Sequence, residues 1–204
     1  MRTGIYGGTF SPPHAGHVGA ARAFAEQMKL DELLIIPAAI PPHKEISGED
    51  DPEKRLEMCK IAFSDIKCAC VSDMEIKRGG KSYTVLTLRE LTKEGRELFL
   101  LCGTDMITTL GSWYRADEIF SLCTPVAVRR ENDPENTERI CQKLDEYKEK
   151  YSVDVQSVDV EAIEISSSEL RALISRGEDC SAYLSKKIID YIRENKLYGA
   201  GEAR

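Results

Sequence analysis

The chain has 204 residues and a mass of 22.8 kDa, enough for one sizeable domain around its own core. Hydrophobic residues make up 42% and charged residues 31%, which excludes wholesale disorder, and 28 Lys and Arg against 35 Asp and Glu give a net charge of −7. That acidic balance argues against duplex nucleic acid as a partner, although a few basic groups and helix N-termini can still bind a small anion. No uncharged apolar stretch exceeds residues 33–42, which prolines interrupt, so no membrane span is expected. The N-terminus has no apolar run of the secretory kind, and a cytoplasmic protein is the expectation. Seven cysteines at 59, 68, 70, 102, 123, 141 and 180 form no CxxC pair, so they read mostly as small buried hydrophobes in a reducing compartment.

Short apolar runs alternate with amphipathic stretches, the pattern of βα units. Residues 2–6 read as a first strand, followed by a Gly/Pro-rich loop and a helix over 17–29. A second strand at 33–36 leads into a proline-rich loop that runs to Asp51. There Asp51-Pro52 predicts a helix start, the Asp as cap and the Pro at the first helical position. Residues 68–72 form a strand candidate, and 83–93 a helix stopped by Gly95. The continuously apolar run 98–102 suits a strand buried on both faces. A short helix follows Asp105, and another opens after Trp113-Tyr114. The remaining elements are a strand at 124–128, a surface loop at 129–136, a helix at 134–150 and a last strand at 153–158. Ser166-x-x-Glu169 is a capping box opening a helix to about Arg176, and a final helix covers 186–195. With no repeat and no linker, the expected organisation is a single domain over 1–204, a three-layer α/β sandwich doubly wound around a mostly parallel sheet. Residues from about 160 form a small helical C-terminal part. In such sheets ligands bind beyond the strand carboxyl ends, where the strand order reverses.

All three histidines, His14, His17 and His43, fall in glycine- or proline-marked loops after predicted strands, which points to function rather than to three unrelated structural roles. The first loop, Gly7-Gly8-Thr9-Phe10 leading to His14-x-Gly16-His17, is neither GxGxxG nor a P-loop. Its glycines let backbone N–H groups approach an anion, and imidazoles at a helix start can follow charge that builds in a transition state. The second loop, Pro41-Pro42-His43-Lys44, suits a stiff phosphate clamp, and equally an exposed rigid loop. Asp105 in Gly103-Thr104-Asp105 can accept from ribose hydroxyls or cap a helix. Trp113 in Gly-Ser-Trp-Tyr-Arg offers a stacking plate or plain core. Ser166-Ser167-Ser168 with Arg171 one turn on is either an anion site or a simple cap.

Taken in order, these segments resemble the nucleotidyltransferase superfamily that carries His-x-Gly-His and a late Ser-rich Arg motif. Pro-Pro-His-Lys, Ser82-Tyr83-Thr84 with Thr87-Leu88, Gly103-Thr104-Asp105 and Trp113-Tyr114-Arg115 make the chain similar to the bacterial nicotinate-nucleotide adenylyltransferase family over essentially its whole length. Ser11 departs from the family's usual Asp, Ser168 from a common Thr, Thr104 from a frequent Ala, and Arg129-Arg130-Glu131-Asn132 from the usual Arg-Pro-Gly. The resemblance implies a Rossmann-like fold and adenylyl transfer from ATP to nicotinate mononucleotide. ATP would be held by Gly7, Gly8, Thr9, Phe10, His14, His17, Gly103, Asp105, Ser166, Ser167, Ser168 and Arg171, with His17, His14 and Arg171 catalytic. The acceptor would lie against His43, Lys44, Tyr83, Thr84, Trp113, Tyr114 and Arg115. Mg2+ would come with the triphosphate, without a protein ligand set. A homo-oligomer stays open. So do another adenylyl- or cytidylyltransferase of the superfamily and a non-catalytic nucleotide-binding regulator. The Ser-Tyr-Thr and Trp-Tyr-Arg pairing speaks against the first, and the intact His14, His17 and Arg171 speak against the second.

Overall fold

The computed structural model describes residues 1–42, 51–92, 95–130, 134–161, 163 and 165–201. Six strands form one parallel sheet: β1 (Arg2–Gly8), β2 (Glu32–Pro37), β3 (Ala69–Val71), β4 (Glu97–Cys102), β5 (Thr124–Arg130) and β6 (Gln156–Val160). Their spatial order is β3-β2-β1-β4-β5-β6, all neighbours parallel, so the winding reverses between β1 and β4.

The helices are α1 (Ala15–Gln27), α2 (Pro52–Ala62), α3 (Met74–Arg78), α4 (Thr84–Thr92), α5 (Thr104–Thr109), α6 (Ala116–Leu122), α7 (Pro134–Tyr151), α8 (Ser167–Ser175) and α9 (Lys186–Glu194), with 3-10 turns at Leu110–Ser112 and Leu197–Gly199. Central strands are apolar on both faces because each face is covered. Leu33, Ile35, Phe99 and Leu101 pack with Phe24 of α1 and Cys59 of α2, while Leu34, Ile36, Leu98 and Leu100 pack with Leu88 of α4, Ile107 of α5 and Phe120 of α6. A third cluster joins Met58 on α2 to Leu170, Ile188 and Ile192 of the C-terminal helices. Asp51 caps α2 as its position predicts, its carboxylate accepting from the Glu53 N–H at 2.9 Å. Such a cap contributes about 1 kcal/mol.

Several boundaries differ from the sequence expectation for identifiable reasons. Strand β1 runs on through Gly7 and Gly8, which pair with Ile36 and Pro37. Helix α1 begins at Ala15, two residues ahead of the expected start, so His17 lies inside its first turn. Arg129 and Arg130 continue β5, where Arg129 pairs across the sheet with Asp159 and bonds its carboxylate at 3.0 and 3.2 Å. The last strand is shifted to Gln156–Val160. Val153 and Val155 pack against the core as the chain leads into it, without joining the ladder. Cys59, Cys102, Cys123 and Cys180 are buried as expected, but Cys70 and Cys141 are exposed and Cys68 is half-buried. Burial pushes the Cys102 thiol up to about 12 and raises those of Cys59 and Cys123 further. These three pack as hydrophobes, and their burial disfavours the thiolate.

Candidate functional site

The carboxyl ends of β1 and β4 flank the reversal point, with β2 next to β1, and the loop after β1 lies on the β1 side of it. Gly7 faces open space, whereas a Cβ on Gly8 would stand 2.9 Å from the Phe10 ring. That ring is only 2% exposed and packs edge-on against Tyr6, Phe63 and His17, with centroids 5.2, 5.7 and 5.2 Å away. The Phe10 side chain is therefore part of the core under the loop. Any nucleotide contact from this residue falls to its backbone.

His14 is the N-cap of α1, in extended conformation, and His17 is the third helical residue. The His14 backbone N–H donates to His17 Nδ1 at 3.2 Å, so His17 takes the place that Glu holds in an ordinary capping box. With Nδ1 accepting, the neutral ring carries its proton on Nε2, the donor an anion needs. The two imidazoles lie 3.8 Å apart by centroid, and a Cβ on Gly16 would stand 3.1 Å from the His14 ring. Glycine at 16 gives His14 room to lie over the helix start.

Helix α8 meets the same loop from the C-terminal part of the chain. Ser166 and Glu169 form the predicted capping box, Ser166 N–H and Oγ donating to the carboxylate at 2.8 and 2.7 Å while Glu169 N–H returns to Ser166 Oγ at 3.1 Å. The Ser166 hydroxyl and N–H hold the Glu169 carboxyl below the usual carboxylate range. Ser167 Oγ donates to the Pro12 carbonyl at 3.0 Å. Arg171 donates to the Ser11 carbonyl at 2.8 Å and to Ser168 Oγ at 3.1 Å. All three serine hydroxyls thus have protein partners, and the Arg171 guanidinium sits against the histidine loop rather than in solvent. Ser11 is buried, its hydroxyl 3.2 Å from that of Tyr198 in the last 3-10 turn.

On the other side of the reversal point, Gly103 is the N-cap of α5 and Asp105 lies in its first turn. The Asp105 side chain does not cap; its carbonyl accepts from the Thr108 and Thr109 hydroxyls at 3.1 and 2.7 Å. Trp113 is half-buried against the core, with Nε1 3.3 Å from Thr109 Oγ1. Tyr114 is 52% exposed, and its ring lies 4.8 Å from that of Tyr83. The Ser-Tyr-Thr and Trp-Tyr-Arg segments therefore meet. Thr84 opens α4 beside them. Arg89 of α4 grips Glu118 of α6 through two hydrogen bonds of 2.5 and 2.7 Å, holding that carboxyl below its ordinary range, and Arg115 reaches the same carboxylate at 3.5 Å. Tyr147 of α7 braces the turn from behind: its buried hydroxyl accepts from the Gly111 N–H at 3.0 Å and donates to the Ile107 carbonyl at 2.8 Å. His43 and Lys44 lie outside the described residues.

A cytidylyltransferase-like family model matches residues 5–173, taking in the loop after β1, the α4–α6 pair and Arg171. A probable nicotinate-nucleotide adenylyltransferase from Clostridium botulinum is 39% identical, with 97% of this chain and 98% of the relative covered. One from Geobacter metallireducens is 36% identical over 97% of this chain and 98% of its own. The chain belongs to the nicotinate-nucleotide adenylyltransferase family. Its fold is also that of Plasmodium falciparum nicotinic acid mononucleotide adenylyltransferase, solved with APC and with NaAD, at TM-scores of 0.70 and 0.72 and sequence identities of 17% and 16%; each match covers 97% of this chain and 96–97% of the other. Among the described residues of this adenylyltransferase, no group of three or more His, Cys, Asp or Glu is placed to hold a metal ion. Nor is any described helix long and apolar enough to cross a membrane.

Three residues of the site escape motif reading. Arg89 and Glu118 are 29 positions apart and sit on helix faces that read as solvated charge. Tyr147 has the spacing of a core residue in α7, and nothing in that spacing marks its hydroxyl as a brace.

Proposed function

We infer that this chain transfers the adenylyl group of ATP to nicotinate mononucleotide, forming nicotinate adenine dinucleotide and pyrophosphate in NAD biosynthesis. A phosphate oxygen of the mononucleotide attacks the α-phosphorus. The bond from that phosphorus to the bridging oxygen of the β-phosphate breaks, and pyrophosphate leaves with its electron pair. Such a step needs placement and charge stabilisation more than a covalent nucleophile.

The observation that carries this reading is the meeting of the His14–His17 pair and Arg171 on one loop at the strand reversal point. His17 donates from Nε2 to the reacting phosphate, and His14 and Arg171 meet the charge that moves to the leaving pyrophosphate. Backbone N–H groups of the Gly7–Phe10 loop and the start of α1 line the triphosphate. Gly103 and Asp105 face the ribose, and Ser168 at the start of α8 holds Arg171 in place. Magnesium is part of the substrate, the Mg–ATP complex. Trp113, Tyr114, Tyr83, Thr84 and Arg115 receive the pyridine nucleotide, with His43 and Lys44 on its phosphate. Pyrophosphate release from ATP with a panel of acceptor mononucleotides tests the reading. Turnover with a different phosphorylated acceptor, and none with nicotinate mononucleotide, would overturn it.

Lys44→Ala and Arg171→Ala are each expected to lower kcat/KM by roughly tenfold or more, the loss of a charge-assisted phosphate contact. Rising salt should reproduce part of that loss in the wild-type enzyme. Because Arg171 also ties α8 to the Ser11 carbonyl, its variant should lose some thermal stability as well. Unchanged kcat/KM in both variants across a salt series would return these residues to purely structural or solvated roles.

A further inference from the structure

Arg55 belongs to none of the motifs above. It is the fourth residue of α2 and is 1% exposed, so the protein holds a guanidinium in its interior beneath the substrate loops. One terminal nitrogen donates to the Thr9 carbonyl at 2.9 Å, and the other donates to the carbonyls of Ala38 at 2.7 Å and Ala39 at 3.2 Å. Thr9 is in the histidine loop after β1, while Ala38 and Ala39 open the loop after β2 that leads to Pro41-Pro42-His43-Lys44. The second loop is also tied forward: Ala39 N–H donates to Ser82 Oγ at 2.9 Å, and Ser82 N–H donates to the Ile40 carbonyl at 2.9 Å. One rigid fork therefore spans the triphosphate loop and the acceptor loop, and the latter is joined in turn to the segment carrying Tyr83.

Burying a charge is tolerated only where its hydrogen bonds are well met, and three backbone carbonyls accept from the two terminal nitrogens here. A planar guanidinium fixes the distance between the acceptors on its two arms, which the point charge of a lysine does not. We infer that Arg55 is a positioning residue that sets the spacing between the loop holding ATP and the loop holding the acceptor phosphate. The inference rests on the adenylyl-transfer reading above. Each loop keeps its own ligand contacts without Arg55, so binding of either substrate alone depends on it weakly. The alignment of attacking oxygen and α-phosphorus depends on it strongly, because an error near 1 Å in such alignment costs on the order of a hundredfold in rate.

The test compares wild type with Arg55→Lys and Arg55→Met by steady-state kinetics on both substrates, well below each protein's own Tm, with folded fraction measured by circular dichroism. For Arg55→Lys the expected result is a kcat loss of roughly tenfold to a hundredfold per folded molecule, with smaller changes in both KM values. A kcat loss under about fivefold, or a rise in one substrate's KM as large as the kcat loss, would overturn the inference. Should neither variant fold, hydrogen exchange on the wild-type protein decides. Nicotinate mononucleotide alone should slow exchange at Phe10 and Ser11, and a non-hydrolysable ATP analogue alone should slow it at Ala39; the Ala38 N–H bonds the Gly8 carbonyl directly and does not report on Arg55. Protection confined to each ligand's own loop would overturn the inference. Wild-type pyrophosphate release is the separate control: its failure bears on the reaction, whereas an active wild type beside a fully active Arg55→Lys bears on Arg55 alone.

Discussion

Replacing His17 with alanine is expected to lower kcat by roughly a hundredfold or more while leaving the protein folded. The ring sits at the start of α1, where the helix dipole already favours an anion, and its Nδ1 is engaged by the His14 N–H. The proton is thereby assigned to Nε2, and alanine removes a donor whose bond strengthens as charge builds on the transferring phosphate. Alanine also removes the acceptor for the His14 N–H, a capping loss of about 1 kcal/mol, small against the stability of a domain this size. His17→Gln separates the two effects, since its amide oxygen can still accept from His14 while the imidazole donor is gone. Steady-state kinetics and circular dichroism on the same samples check this. A folded His17→Ala with near-normal kcat would remove His17 from the chemistry.

The second large effect concerns the acceptor. Nicotinate mononucleotide carries a ring carboxylate, and its amide counterpart presents a neutral group of similar size. The turn at Trp113-Tyr114 leads into α6; the Ala116 and Glu118 N–H groups already donate to the Trp113 and Arg115 carbonyls, so recognition of a carboxylate falls to the other amides of the turn. The negative charge of Glu118 in the first turn of α6 is already met by Arg89 and Arg115, which lessens its repulsion of an incoming acid. The amide would point its own N–H donors at N–H donors, leaving buried groups unpaired at about 1–3 kcal/mol each. Two mismatches give a preference for the acid of roughly a hundredfold in kcat/KM. Competition between the two mononucleotides measures it directly. Trp113→Ala should weaken both acceptors and leave ATP binding nearly intact. Equal kcat/KM for acid and amide would show that the turn does not read the ring substituent.

The fold and the histidine loop were legible because their signals are local. Apolar runs such as Leu98–Leu101 mark strands buried on both faces, Asp51-Pro52 and Ser166-x-x-Glu169 write helix starts into three or four residues, and histidines behind glycines have few other uses. What escaped depends on the third dimension. Helix α3 is only five residues long, too short for a period to declare itself. Val153 and Val155 face the core from a connecting segment and mimic a strand. Phe10 sits in the loop just past the glycine pair, and only its burial shows that it supports His17 from below. Arg55 is the sharpest case: in a helix rich in Glu and Lys it reads as one more surface charge, and only the packing of α2 under both loops turns it inward.

The brace from Tyr147 bears on how a protein of this kind acquires a new acceptor. The carbonyl belongs to α5 and the N–H to the 3-10 turn that follows it, both just ahead of Trp113, and Tyr147 reaches them from a helix 40 and 36 residues downstream. On the acceptor site proposed above, the outline of the pocket is encoded partly in α7, outside the residues assigned to the ligand. Selection for a bulkier or differently charged acceptor has two genetic routes. One replaces the aromatic side chains themselves; the other shifts the backbone that carries them through a single change on α7. A library that randomises only the pocket wall explores the first route and is blind to the second.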